Sequence, residues 1–273
     1  MLKKVGLLGC GAIGTQIALA IDSGKIPAEL THIYDFDNAK AESLIVKLSK
    51  KPILVANPHL LSSNNVDIVV EAASQDAVKN HALSILQNRK DLMIMSVGAL
   101  LDESVFDILF DACMEFKKRI YLPSGAIAGL DAIKSVKDEL ESVTLITTKN
   151  PKALAGAKFF AARNIDVNSI TQKTTILEGD AKEAVTLFPA NINVAALLSL
   201  AGLGSTKTLV KIIADPTTDK NTHQIEAKGK FGKITISVEN VPDKTNPKTS
   251  RLAILSAIEC LRVACSDGIK IGT

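Results

Sequence analysis

At 273 residues the chain has room for one large domain or two medium ones, with enough buried surface for a self-sufficient core. Hydrophobic residues at 47% and charged residues at 22% lie close to globular averages, which excludes a disordered chain, a collagen-like one and a disulfide-rich miniprotein. A net charge of +3, no Trp and two Tyr argue against nucleic acid as a partner, since there is neither a basic cluster for phosphates nor a set of rings for stacking bases.

Met1-Leu2-Lys3-Lys4 precedes only a short apolar run, Val5-Gly6-Leu7-Leu8, before Gly9. That run is too short for a signal-peptide core and reads as a strand. No apolar stretch of about 20 residues follows, so no membrane span is expected. Cys10, Cys113, Cys260 and Cys265 lack C-x-x-C spacing and have no His at ligand distance. They predict buried free thiols in a reducing cytoplasm and no metal site.

Strands and helices alternate through the first half. After Val5–Leu8 comes a helix with Ile13, Ile17, Ala20 and Ile21 on one face of a 3.6-residue period. Thr31-His32-Ile33-Tyr34 is a second strand, ending at Asp35. Further apolar runs fall at 52–55, 67–71, 92–95 and 119–122, with a helical pattern around Val78, Ala82 and Ile85. Short runs apolar on both faces and separated by helices predict a parallel sheet covered on both sides, a Rossmann-type doubly wound α/β domain over 1–124.

The second half reads differently. Strands are predicted at 142–148, 170–178, 207–214, 222–228 and 233–240, and helices at 127–139, 181–187 and 191–203. Ile234, Ile236 and Val238 alternate with Thr235, Ser237 and Glu239, and Gly229 and Gly232 flank a hairpin turn. Asp180 with Glu183 makes a capping box. Such strands belong to a mixed, open-faced sheet in an α+β domain over 125–247. A last helix at about 250–265, within 248–273, carries Leu252, Leu255, Ile258 and Leu261 and returns to pack on the first domain.

Gly9-Cys10-Gly11-Ala12-Ile13-Gly14 is G-x-G-x-x-G between a strand and a helix, the setting that gives this pattern its meaning. Gly9 permits the tight turn, Gly11 lets a pyrophosphate approach the backbone, and Gly14 lets the helix pack on the strand. The helix start, at Ala12 and Ile13, offers N–H groups and a positive dipole end to phosphate. Asp35 lies 21 residues after Gly14 at the end of the second strand. A carboxylate there accepts both adenosine ribose hydroxyls and repels a 2′-phosphate, so NAD is favoured over NADP. Capping of the next helix is the other role open to Asp35, with Asp37 the more natural cap. Ala73-Ser74 and Gly98 follow two further strands and face the same crevice.

Groups for proton transfer are few, since the only His residues are 32, 59, 81 and 223. His223 opens a strand of the second half in Asn221-Thr222-His223-Gln224-Ile225, and imidazole is the side chain whose ordinary pKa suits proton transfer near neutral pH. Phe188-Pro189-Ala190-Asn191-Ile192-Asn193-Val194-Ala195-Ala196 starts an apolar helix, with Asn191 as cap and Asn193 in the first turn, where its carboxamide can meet a nicotinamide amide or ribose. Ser124-Gly125-Ala126-Ile127-Ala128-Gly129 joins the two halves. Asn246-Pro247-Lys248-Thr249-Ser250 combines cap residues, a cation and a helix start, a candidate carboxylate site. No serine elbow, P-loop or H-E-x-x-H is present.

Together these segments resemble the L-aspartate dehydrogenase family over essentially the whole chain. The glycine loop is common to many dehydrogenases. The Ser124–Asp131 stretch, the Phe188–Ala196 stretch, His223 and the Asn246–Ser250 stretch are jointly specific. The resemblance implies reversible NAD- or NADP-dependent oxidation of L-aspartate to iminoaspartate, which hydrolyses to oxaloacetate and ammonia or feeds quinolinate synthase in NAD biosynthesis. It implies His223 as the catalytic residue, Ala126 and Asn193 as cofactor contacts, and a cytoplasmic homodimer. Asn191, Lys248, Thr249 and Ser250 are the expected substrate contacts. A second carboxylate pocket is left open among Lys134, Arg163 and Lys207. The alternative is another amino-acid-pathway oxidoreductase of similar architecture, of the dihydrodipicolinate reductase or homoserine dehydrogenase type. The E-x-H-H and K-x-D-x-P-S-G-T-A segments of the former are not found.

Overall fold

Six apolar runs become six parallel strands. The computed structural model describes residues 2–62, 65–189, 193–243, 246, 249–269 and 271. The chain divides into two units, one of residues 1–123 with 254–271, the other of 124–253 with 272–273.

In the first unit β1 (Lys3–Leu8), β2 (Ala28–Tyr34), β3 (Ile53–Leu54), β4 (Ile68–Glu71), β5 (Asp91–Ile94) and β6 (Ile120–Tyr121) pair in the order β3-β2-β1-β4-β5-β6. All pairs are parallel. This doubly wound order reverses direction between β1 and β4, and ligands bind outside the carboxyl ends of the strands at such a reversal. The helices α1 (Ala12–Asp22), α2 (Asn38–Lys47), α3 (Gln75–Gln87) and α4 (Glu103–Phe116) supply the crossovers. α1 buries Gly14, Ile17, Ala18, Ala20 and Ile21, the face its sequence period marks. A 3₁₀ turn at Pro58–Ser62 lies between β3 and β4, and a second at Val97–Leu101 precedes α4.

The second unit holds α5 (Leu130–Ser135), β7 (Leu140–Lys149), α6 (Pro151–Leu154), α7 (Lys158–Arg163), β8 (Thr174–Asp180), α8 (Ala181–Leu187), α9 (Asn193–Ala201), β9 (Thr208–Ala214), β10 (Asn221–Gly229) and β11 (Gly232–Asn240). Its five strands run β11-β10-β7-β9-β8. β7 and β9 are parallel and the other pairs antiparallel, so the sheet is mixed. The hairpin closes on the Gly229–Gly232 pair, and β11 alternates exposed residues with half-buried Ile234, Ile236 and Val238. Asp180 caps α8 by accepting from the Glu183 N–H at 2.8 Å.

The predicted 127–139 helix is broken. Gly125 and Gly129 take φ +65° and +72°, left-handed values that stop a helix, so residues 124–129 stay a loop and α5 begins at Leu130. A 3₁₀ turn follows at Lys137–Glu139. The strand expected at 170–178 lies at Thr174–Asp180, after a 3₁₀ turn at Val167–Ser169. The short helices α6 and α7 gave no clear period; α7 buries Phe159 and Phe160, whose ring centroids lie 5.3 and 6.1 Å from that of Phe188.

The last helix, α10 (Arg251–Cys265), sends Ala257 and Leu261 into the core cluster of the first unit, beside Val5, Leu7 and Ile17. Lys3 Nζ also donates to the Ala264 carbonyl at 2.9 Å. All four cysteines are free, but only Cys10 is fully buried; Cys113, Cys260 and Cys265 are half-buried. Among the described residues, no helix is long and apolar enough to cross a membrane.

Candidate functional site

The glycine loop is shaped by close backbone approach. At Gly9, φ is +103° and a Cβ would stand 2.6 Å from the Ala72 carbonyl oxygen and 2.9 Å from Ala73 Cβ. No larger residue fits without moving the end of β4. At Gly14 a Cβ would lie 2.0 Å from the Gly9 carbonyl oxygen and 3.5 Å from Leu7 Cδ1 of β1, so its bareness serves the loop as well as the packing of the helix on the strand. A Cβ on Gly11 would meet nothing within 4 Å. The loop is therefore tight at its two ends and open in the middle, above the start of α1.

That helix start is left undecorated. Gly11 is the N-cap, with no side-chain cap and no acidic residue in the first turn. The N–H groups at Ala12 and Ile13 precede the first full turn, and the dipole end carries its positive charge uncompensated. This suits a phosphate. Asp35, half-buried at the end of β2, holds the loop from the other side: Oδ2 accepts from the Cys10 N–H at 2.6 Å and Oδ1 from the Asp37 N–H at 2.9 Å. Capping of α2 falls to Asp37, which accepts from the Ala39 N–H at 3.1 Å. Burial, and then the Asp35 carboxylate, push the Cys10 thiol up to about 12, so it stays a thiol.

One residue at these strand ends escaped the sequence reading. Glu71 ends β4 with 1% of its surface exposed. Its carboxylate accepts from the N–H groups of Ala73 (2.8 Å), Met95 (3.2 Å) and Ser96 (3.0 Å) and from the Ser96 hydroxyl (2.8 Å). Burial pushes its pKa up while these donors pull against that. It ties the ends of β4 and β5 together beneath residues 73–74 and 97–98. Ser74 itself caps α3, accepting from the Ala77 N–H at 3.1 Å, and Gly98 is buried in its 3₁₀ turn. The signal was a carboxylate at the end of a strand buried on both faces.

In the second unit the buried face of the sheet changes character along its length. Val143 and Leu145 on β7, and Ile225 and Ala227 on β10, are apolar. Further along the same faces come Thr147, Lys149, His223 and Asn221, exposed by 0%, 3%, 1% and 2%. His223 lies opposite Thr147, and its Nδ1 shares a 3.0 Å hydrogen bond with Thr147 Oγ1. Lys149 is two residues beyond Thr147, on the same face and diagonal to the imidazole. Asn221 pairs across to Asn240, also buried. Asn240 Nδ2 donates to the Ala126 carbonyl at 2.9 Å, and Asn221 Nδ2 to Ser250 Oγ at 3.4 Å. The two asparagines thus bring the Ala126 loop and Ser250 to the strip that carries His223.

The electrostatics differ from the neutral-pH poise expected of a histidine. Burial first, and the Lys149 charge second, push His223 down to about 3, so the ring is neutral at physiological pH. Burial also pushes Lys149 down to about 8.

Other expected residues are placed as follows. Asn193 opens α9, half-buried. Thr249 sits in a turn, its N–H bonded to the Asn246 carbonyl at 2.9 Å and its hydroxyl accepting from Asn246 Nδ2 at 3.2 Å. Asn191 and Lys248 lie outside the described residues. Lys134, Arg163 and Lys207 are exposed, and Arg163 stacks 4.0 Å over the Phe159 ring. None of these three belongs to the buried strip.

Comparison with known proteins gives a consistent picture. Residues 131–264 match the family described as "Aspartate dehydrogenase, C-terminal", and residues 9–123 match "Homoserine dehydrogenase, NAD binding domain". The chain is 68% identical to L-aspartate dehydrogenase of Nitrosopumilus maritimus over 272 residues, covering 100% of both chains. It is 47% identical to that of Methanocella arvoryzae, covering 99% of both. The crystal structure of aspartate dehydrogenase from Thermotoga maritima superposes with a TM-score of 0.75 at 31% identity, covering 99% of each chain.

Proposed function

We propose that this chain, which belongs to the L-aspartate dehydrogenase family, oxidises L-aspartate to iminoaspartate through a neutral His223. A nicotinamide cofactor, when bound, accepts the hydride from the amine-bearing carbon. The observation that carries the reading is the imidazole itself, neutral, buried and bonded to Thr147 within a polar strip. Aspartate arrives with an ammonium group. Its nitrogen must lose a proton before its lone pair can form the C=N bond, so a base is required. In the tautomer that donates Nδ1–H to Thr147 Oγ1, the lone pair on Nε2 takes that proton. The same nitrogen returns it when water adds to the imine and ammonia leaves.

The glycine loop and Asp35 fit the dinucleotide. Gly11 leaves open the space a Cβ would fill, the bare start of α1 receives the pyrophosphate, and Asp35 receives the adenosine ribose. A carboxylate at that point repels a 2′-phosphate, which supports NAD over NADP. In this reading Gly9, Gly14, Ala73, Ser74, Gly98, Ala126 and Asn193 serve the cofactor, and Asn191, Lys248, Thr249 and Ser250 serve the substrate. Family membership supports a cytoplasmic homodimer that passes its imine to quinolinate synthase for NAD biosynthesis.

A spectrophotometric panel tests the assignment: L-aspartate and homoserine in the forward direction, oxaloacetate with ammonia in reverse, each with NAD and NADP. Turnover of L-aspartate and of the reverse pair is expected. Turnover of homoserine without aspartate would overturn it.

A further inference from the structure

The reaction proposed above brings two carboxylates into the second unit, and the sequence assigned one to the stretch with Lys248 and left the other open among Lys134, Arg163 and Lys207. The described residues offer a better-placed cation. Lys149 is 3% exposed at the end of β7, on the buried face that carries Thr147 and His223. Among the described residues, the polar side chains buried with it at this end of the sheet are Thr147, Asn221, His223, Asn240 and Ser250. When protonated, Lys149 sets a cation on the face that carries His223, and a carboxylate is the substrate group that such a charge attracts.

We propose that Lys149 is the cation that receives a carboxylate of the substrate beside His223. The proposal rests on the aspartate reading of the same site. Three features favour it. Lys149 and His223 stand diagonally on neighbouring strands, the separation at which one small molecule touches both side chains. The two groups already feel each other, because the lysine charge is one of the two causes that keep the imidazole neutral. A carboxylate laid on the ammonium offsets that charge, so the arriving substrate itself raises the proton affinity of the imidazole that must deprotonate it. The site would thus be a poor base when empty and a better one when filled. The burial that pushes Lys149 down to about 8 has the matching consequence that a bound carboxylate restores its proton.

The test uses the full-length protein with NADH bound, and succinate, which has the aspartate skeleton without the amine, as probe. Succinate binding is read by titration. The KM for L-aspartate and kcat are read separately, in the parent and in Lys149→Met and Lys149→Arg. The expected result is a loss of at least roughly thirtyfold in succinate affinity and a comparable rise in KM for Lys149→Met, with NADH affinity unchanged and most of the succinate affinity kept by Lys149→Arg. If Lys149→Met does not fold, Lys149→Gln takes its place in the same comparison. Succinate affinity and KM that stay within about twofold of the parent in the uncharged variant would overturn the proposal, as would a fall in kcat alone. Failure of the parent to bind succinate overturns it too. A parent that binds succinate through Lys149 but does not oxidise aspartate would leave the carboxylate site standing and remove the aspartate reading instead.

Discussion

His223 owes its state to its surroundings more than to its own chemistry. In the unfolded chain it takes a proton below about pH 6.5, its ordinary value, whereas in the fold it does so only near pH 3. Between those values the unfolded state binds more protons, so stability falls as pH drops through the window, by up to about 1.4 kcal/mol per pH unit for this one group. His223→Ala removes the effect. Urea melts at several pH values between about 4 and 6 should show a slope shallower than the parent's by close to one proton. Equal slopes would mean that the imidazole titrates normally in the fold. Asp35 is a second residue whose role its neighbours define. Its two oxygens hold the N–H groups of Cys10 and Asp37, so it stands fixed where a ribose would arrive. Asp35→Ala should lower the NAD-to-NADP ratio of kcat/KM, and an unaltered ratio would show that the carboxylate does not read the ribose.

At the scale of elements, the glycine loop and α1 allow two nearly identical substitutions to be separated. Gly14→Ala forces a methyl to within 2.0 Å of the Gly9 carbonyl oxygen, and should destabilise the fold by about 1–3 kcal/mol or more. Gly11→Ala places its methyl in open space, at a backbone conformation any residue adopts. It should leave the melting temperature near the parent's and weaken NADH binding. A Gly11→Ala protein that binds NADH as tightly as the parent would place the pyrophosphate elsewhere. The six-strand sheet was legible because each parallel strand is a short apolar run and each crossover has a helical period. The start of the helix expected at 127 was not, because Ile127 and Ala128 mimic a helix start and only the left-handed backbone of Gly129 delays it to Leu130. α6 and α7 are too short to show a period. Glu71 and Lys149 were missed for one shared reason: a charge at the end of a strand reads as the point where the chain meets water, and only tertiary packing reveals that both are buried.

Across the whole molecule, two chemistries reside in two separately built sheets. The parallel sheet gathers loops at its carboxyl ends, with Gly11 open and Glu71 holding two of those ends together. The mixed sheet has an apolar face that turns polar at one end, where Asn221 and Asn240 tie in Ser250 and the Ala126 loop. The first was visible as a motif with known spacing. The second was visible only as a lone histidine within a resemblance, since its members come from strands far apart in the chain. The most direct test of the account is turnover of L-aspartate by His223→Ala alongside NADH binding by the same protein. The account predicts a fall of about 10²–10⁴-fold in kcat with NADH affinity unchanged. Undiminished kcat in a variant shown to bind NADH normally would contradict it.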